Sequence, residues 1–155
     1  MKDDRYILVI ADGSKEMKVA LHYACARSKK TNRKIIIATF IEPLNVLTTQ
    51  GVTEIMQNEA REAAELKLQN AAKLVKESTG TMPVLHIREG EIISELIKLI
   101  EEEENINVLV LAANIDDKGP GPIITSLVSK EYSNLRIPVM IVPGNFTKDH
   151  ISLIT

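Results

Sequence analysis

Five short apolar runs recur along the chain, and they constrain its fold more than any other feature. They lie at 6–11, 34–41, 83–87, 108–113 and 138–142. Each run is rich in Val, Ile or Leu, and most lack the alternation of apolar and polar residues that marks a strand with one exposed face. Nearly continuous runs of this kind are typical of strands that are buried on both faces of a parallel sheet.

Segments with helical spacing of apolar and small residues separate these runs. They cover about 14–30, 53–78, 91–103 and 122–132, whereas the tail after Pro143 carries only weak signals. Gly80 follows the second segment in the position of a helix-ending glycine, and Pro122 suits the first turn of the fourth. This alternation predicts an α/β fold with a parallel sheet and helices on both faces. We expect a single domain over 1–155, with its core at about 5–143 and a tail at 144–155.

The composition limits the classes of partner and compartment. The 155 residues are 45% hydrophobic and 26% charged, with a formal net charge of -2 and 3% aromatic residues, which is the balance of a globular protein. Neither the charge nor the aromatic content favours nucleic acid or an anionic membrane. Cys25 is the only cysteine, which is compatible with a reducing compartment. With no long apolar run and acids close to Met1, we expect a cytoplasmic protein.

Ligands of open α/β sheets bind beyond the carboxyl ends of the strands, where the strand order reverses. Three loops of this chain fall there. They follow the first, second and fourth apolar runs and comprise Asp12-Gly13-Ser14, Ile41-Glu42-Pro43 and residues 114–122. These loops are therefore the candidate functional region.

Several short motifs occur in a characteristic order along most of the chain. They are Ile7-Leu8-Val9-Ile10-Ala11-Asp12-Gly13-Ser14, Ala20-Leu21-His22-Tyr23-Ala24, Phe40-Ile41-Glu42-Pro43, Glu89-Gly90, Val108-Leu109-Val110-Leu111 and Pro138-Val139-Met140-Ile141-Val142-Pro143. In this order and spacing, the chain resembles the universal stress protein family from Ile7 to Val142. The resemblance implies a Rossmann-like domain with a five-stranded parallel sheet of order 3-2-1-4-5.

ATP-binding members of that family carry a glycine motif after strand four. It consists of a glycine, two residues, a second glycine, nine residues, and a third glycine followed by Ser or Thr. Placed on this chain without a gap, the glycine positions fall on Ala112, Ile115 and Thr125, and the hydroxyl position falls on Ser126. All three glycines are absent. Because glycine permits left-handed dihedrals and a close approach to phosphates, we expect ATP to bind weakly or not at all.

Other residues of the same loop also argue against tight binding of ATP. Pro120 and Pro122 have no N–H to donate, and Asp116 and Asp117 add negative charge where phosphates would lie. The alternative is a phosphate loop rebuilt around Gly119 and Gly121, which would admit ATP or AMP.

The resemblance also implies a place for the adenine. Asp12 matches a position near the base, and Phe40 and Ile41 match positions beside it, so that with Gly13 and Ser14 they could form a nucleoside-shaped pocket. We favour the plainer interpretation of Asp12, as a turn residue after a buried strand. No cofactor is therefore expected, with ATP or AMP as the alternative.

No pattern of catalytic or metal-binding residues stands out. His22, His86 and His150 lack metal-ligand spacing, and the chain has neither a G-x-S-x-G elbow nor a Walker A motif. Asp12, Asp116 and Asp117 could hold Mg²⁺, but we favour a solvated acidic loop and expect no metal. Cys25 lies on the apolar side of its helix, where a buried, unreactive thiol is the expectation.

The resemblance therefore predicts a non-catalytic stress-response domain that acts through dimerisation and an unidentified protein partner. The predicted homodimer pairs through strand five, because Val139, Met140, Ile141 and Val142 form an apolar edge that would recruit another strand. One alternative is the nucleotide-binding member described above, at most a weak ATPase. Another is a small enzyme of the related adenine-nucleotide α-hydrolase group, for which no nucleophile or phosphate loop is evident.

Overall fold

The computed structural model describes residues 4–43 and 50–155 and contains one five-stranded sheet. Its strands are β1 (Tyr6–Ile10), β2 (Lys34–Ile41), β3 (Val84–Glu89), β4 (Ile106–Ala113) and β5 (Val139–Pro143). The order is β3-β2-β1-β4-β5, and every neighbouring pair is parallel. The predicted α/β class and strand order are confirmed.

Within the part of the chain that the structure describes, four helices lie between successive strands, and a fifth follows β5. They are α1 (Met17–Thr31), α2 (Gln50–Thr79), α3 (Ile92–Glu102), α4 (Pro122–Ser126) and α5 (Lys148–Ile154). A π-helical turn over Leu127–Glu131 continues α4, so the single helix predicted at 122–132 consists of two kinds of turn.

The sheet separates two hydrophobic cores, which explains the uninterrupted apolar runs. Along β1, Ile7 and Val9 pack into the core beneath α1 and α2, whereas Leu8 and Ile10 pack into the core beneath α3 and α4. All four side chains are at most 5% exposed. Helices therefore cover both faces of the sheet, as predicted.

The last helix, α5, lies in the tail where the sequence pattern was weak. Its N-terminus is capped by Thr147, whose side-chain oxygen accepts a hydrogen bond from the His150 N–H at 3.1 Å. Ile151 is buried against the rest of the molecule, and the Phe146 and His150 rings stack at 4.0 Å. A seven-residue helix is too short to show apolar periodicity, so only the capping threonine could have indicated it.

None of the helices within residues 4–43 and 50–155 is both long and apolar enough to span a bilayer.

Candidate functional site

A cleft of about 210 Å³ opens at the carboxyl ends of β1 and β4, where the strand order reverses. Most of its lining is apolar. The residues are Ile10, Asp12, Ser14, Met17, Ala20, Ile92, Val110, Leu111, Ala112, Pro120, Gly121, Pro122, Ile123 and Ile124. Asp12 is the one charged side chain among these described lining residues, although the Lys67 side chain reaches the turn at Gly13 next to it. Such a cleft suits an apolar or planar group better than a polyphosphate.

The Asp12 carboxylate is engaged in the turn that leads from β1 into α1. Its Oδ1 accepts hydrogen bonds from the Ser14 N–H at 2.9 Å and from the Ser14 hydroxyl at 2.7 Å. The Ser14 Oγ in turn accepts the Met17 N–H at 3.2 Å and so caps the first turn of α1. Gly13 makes the turn sharp at a φ of 78°. This geometry supports the interpretation of Asp12 as a turn residue.

The loop at 114–122 is closed by its own hydrogen bonds. The Asn114 N–H donates to the Pro120 carbonyl at 3.0 Å. The Asp116 carboxylate accepts from the Asn114 side-chain amide at 3.0 Å and from the Lys118 N–H at 2.8 Å. Three donors that could otherwise face a ligand are therefore used inside the loop.

Left-handed backbone occurs in this loop at different positions from those of the family's motif. Gly119 and Gly121 have φ values of 94° and 115°. Ile115 is not among the described residues with positive φ, and its side chain is 61% exposed. The loop therefore turns at Gly119 and Gly121. A residue with a side chain would be strained at these φ angles.

The structure brings only some of the predicted site residues together. Asp12, Ser14 and Ala112 line the cleft, and Gly13 lies in the turn between the first two. Phe40 and Ile41 do not line it. Phe40 packs against the core beneath α3, and the Ile41 carbonyl accepts the Gly90 N–H at 2.9 Å.

The predicted residues of α4 lie outside the cleft as well. Thr125 is exposed, and its carbonyl accepts the Ser129 hydroxyl. Ser126 borders a separate surface groove between α3 and the π-helical turn. Four apolar residues that line the cleft were not predicted from the sequence. They are Met17, Ile92, Ile123 and Ile124. They belong to helices whose approach to the strand ends depends on tertiary packing, so no local pattern marks them.

The other candidate groups are dispersed. Within residues 4–43 and 50–155, no three His, Cys, Asp or Glu side chains form a group that could hold a metal ion. Burial and the neighbouring charges of Lys148 and Lys18 lower the pKa of His22. Cys25 is 1% exposed, and its burial raises the pKa of the thiol. This arrangement is that of an inert core cysteine.

Comparison with known proteins identifies the relatives of this fold. The family model for the universal stress protein family matches residues 5–143. The chain belongs to the universal stress protein family. The match spans every strand, so the cleft described above corresponds to the edge of the sheet at which ligands of such folds bind. No curated protein sequence matches the chain significantly.

Solved structures of the family share the fold at low sequence identity. The universal stress protein UspA from Lactobacillus plantarum superposes with a TM-score of 0.73 at 14% identity, over 89% of this chain and 97% of that one. A universal stress protein from Archaeoglobus fulgidus in complex with dAMP superposes with a TM-score of 0.66 at 13% identity, over 92% of this chain and 99% of that one. A universal stress protein in complex with cAMP superposes with a TM-score of 0.65 at 20% identity, over 92% of this chain and 99% of that one.

Proposed function

We propose that this universal stress protein is a non-catalytic stress-response domain that acts by forming a homodimer and binding a protein partner. The observation that carries the proposal is the apolar edge strand β5. Met140 and Ile141 are 43% and 39% exposed, whereas Val142 is buried in the core beneath α1. The edge thus combines unpaired backbone groups with exposed apolar side chains, which is the combination that recruits another strand.

The surface next to β5 extends this apolar edge. A groove of about 280 Å³ is formed by Leu127, Val128, Tyr132, Leu135, Ile137, Pro138 and Val139. Val128 and Tyr132 are 52% and 68% exposed. Contiguous apolar surface around an open strand is typical of a protein–protein interface.

We propose in addition that this domain does not bind ATP tightly, and the lining of the cleft supports this part of the proposal. ATP would bring several negative charges to a cleft whose one charged side chain is Asp12. Losing two charge-assisted hydrogen bonds, each worth roughly 1.5–3 kcal/mol, weakens binding by about two to four orders of magnitude.

A second candidate is a nucleotide-binding member that takes an AMP-type ligand. Two relatives are in complex with cAMP and dAMP, ligands that contain one phosphate each. The observation in favour is the apolar cleft of about 210 Å³, which would accept a base, with Gly119 and Gly121 in the loop beside it. The catalytic alternative has less support, because the Ser14 hydroxyl beside the cleft donates to Asp12 and no histidine lines the cleft.

Titration calorimetry with Mg-ATP and with AMP tests the nucleotide part of the proposal. We expect no saturable binding of ATP below millimolar concentration. The informative variant is Ala112→Gly, Ile115→Gly, Thr125→Gly, which restores the family's glycines. A gain in ATP affinity would show that glycine loss closed the site. A low micromolar dissociation constant for the wild-type chain would overturn the proposal, and micromolar binding of AMP alone would favour the second candidate.

A further inference from the structure

A second concave surface lies on the other side of the molecule from α3 and α4. One groove of about 400 Å³ runs between α1, the end of α2 and α5. It shares the lining residue Lys29 with a second groove of about 330 Å³, which lies near the starts of β2 and β3. Neither groove shares a lining residue with the cleft described above. We refer to the two together as the basic groove.

The charges around the basic groove are mostly positive. The segment from Met17 to Ile41 contains no Asp or Glu, and its Lys and Arg residues are Lys18, Arg27, Lys29, Lys30, Arg33 and Lys34. Lys29, Arg33 and Lys34 line the groove, and α5 adds Lys148 from the opposite wall. Glu77 is the only acid among the lining residues. The overall charge of -2 thus conceals a strongly cationic surface.

Three of these cations form no ion pair with any described residue. Over residues 4–43 and 50–155, no carboxylate lies within ion-pair distance of Lys29, Lys34 or Lys148. Elsewhere, Arg61 and Arg88 each pair with two glutamates. Cations gathered along a concavity without counter-charges favour anions, and the walls focus that field.

The groove also offers hydroxyl groups. Ser152 lies beside Lys148, and Thr81 borders the part next to Lys34, whereas the Ser28 hydroxyl there already donates to the Arg33 carbonyl. Hydroxyl groups and lysine ammonium groups both donate hydrogen bonds, and phosphate oxygens accept them.

We propose that the basic groove binds a small molecule that carries two or more phosphate groups. The separation of Lys34 and Lys148 between the two parts of the groove favours an extended anion over a single phosphate. This site would bind its ligand separately from the cleft at the carboxyl ends of β1 and β4.

His22 provides a reporter inside the groove. Its ring lines the wall, and the charged groups around it are Lys18 and Lys29 on α1, Lys148 on α5 and Glu77 on α2. Burial and the lysine charges hold its pKa below the ordinary value. A bound polyanion offsets the lysine charges, so binding in the groove raises the pKa of His22.

Inorganic tripolyphosphate is the probe for this site, used on the full chain at low salt. We expect saturable binding by calorimetry that weakens as salt rises, and binding of inorganic monophosphate at least tenfold weaker. The double variant Lys29→Gln, Lys148→Gln should lose at least tenfold in affinity for tripolyphosphate. The matched control is Lys118→Gln, Lys130→Gln, which makes the same charge change at exposed lysines outside the groove. It should change the affinity less than twofold.

Four results would overturn the proposal. The first is an absence of binding, and the second is an equal loss in both double variants, which would indicate a response to net charge alone. The third is an unchanged His22 titration in NMR spectra with tripolyphosphate, with His86 as the reference. The fourth is tighter binding of a mixed-sequence single-stranded RNA than of tripolyphosphate, which would make the surface a nucleic-acid interface. Thermal melts of both variants check that the fold is retained.

Discussion

The two edge strands of the sheet differ sharply in chemistry. On β3, Arg88 pairs with Glu95 at 3.1 Å and with Glu102 at 2.8 Å, both on α3. Arg61 of α2 reaches Glu89, the last residue of the strand, at 3.1 Å. By contrast, β5 carries no charged residue between Val139 and Pro143. Charged side chains protect an edge from strand addition. The β3 edge has this protection, whereas the β5 edge does not.

The difference does not lie in the exposure of a single apolar side chain. Leu85 on β3 is 38% exposed, and Ile141 on β5 is 39% exposed. What differs is the surroundings, because Leu85 lies on a strand with His86, Arg88 and Glu89, whereas Ile141 has only apolar neighbours. These two positions therefore form a matched pair for mutation.

The largest expected effect is that of Ile141→Lys. A lysine here would be buried without a partner in a dimer paired through β5, and an unpaired buried charge is costly. We expect the dimer to weaken by about a hundredfold or more. Sedimentation velocity should then report the 17.2 kDa chain mass in place of about twice that value.

The matched control is Leu85→Lys, which should leave the mass unchanged. If both lysine variants lower the mass equally, the two edges are equivalent and the comparison fails.

A smaller effect is expected from Tyr132→Ala. This side chain is 68% exposed beside the apolar groove next to β5, and large aromatic side chains are common binding hot spots. Its loss should weaken dimerisation by about tenfold. Leu153→Ala on α5, where the side chain is 86% exposed, is the control and should have no effect. A Tyr132 variant that dimerises like wild type would confine the interface to the strand itself.

Arg88→Gln should lower stability slightly without affecting assembly. The variant removes both ion pairs between β3 and α3. The Glu102 carboxylate is mostly exposed, so that pair contributes little, and the less exposed Glu95 accounts for most of the loss. We expect a melting temperature lower by a few degrees in differential scanning calorimetry and an unchanged dimer mass. A change in mass would mean that the β3 edge also takes part in the assembly.

The smallest effect is a pH dependence of the same ion pairs. The hydrogen bond from Arg88 is the main cause that lowers the pKa of both Glu95 and Glu102. The unfolded chain therefore binds these protons first as the pH falls below about 4.5, the ordinary value. Their contribution to stability is present above that pH and is lost as the pH falls through the folded pKa values. Arg88→Gln should flatten this part of the stability curve, which urea denaturation at several pH values would measure. An identical slope in wild type and variant would show that other groups govern it.

The strands could be predicted from the sequence because burial on both faces leaves a direct mark in the residues themselves. The interior of β1 is apolar at every position since it faces a core on each side. The edge character of β5 followed from strand order, which the family resemblance supplied. The partners of Arg88 could not be predicted, because Glu95 and Glu102 approach it only when α3 packs over the sheet.

The candidate site was harder to predict. The sequence predicted Asp12, Ser14 and Ala112 at the carboxyl ends of the strands, and all three line the cleft there. It could not show that Asn114 closes the loop onto Pro120, because that contact depends on the backbone path through Gly119 and Gly121. An ungapped placement of the family's glycine motif takes no account of such a path.

Native mass spectrometry of the purified chain, with and without Mg-ATP, tests the central claim most directly, because one spectrum reports assembly and ligand together. The claim is that this protein has an open β5 edge for self-association and a cleft unsuited to ATP. At low micromolar protein we predict a dimer of about twice 17.2 kDa, with no nucleotide adduct even when ATP is in excess. A monomer, or a dimer that carries ATP, would contradict it.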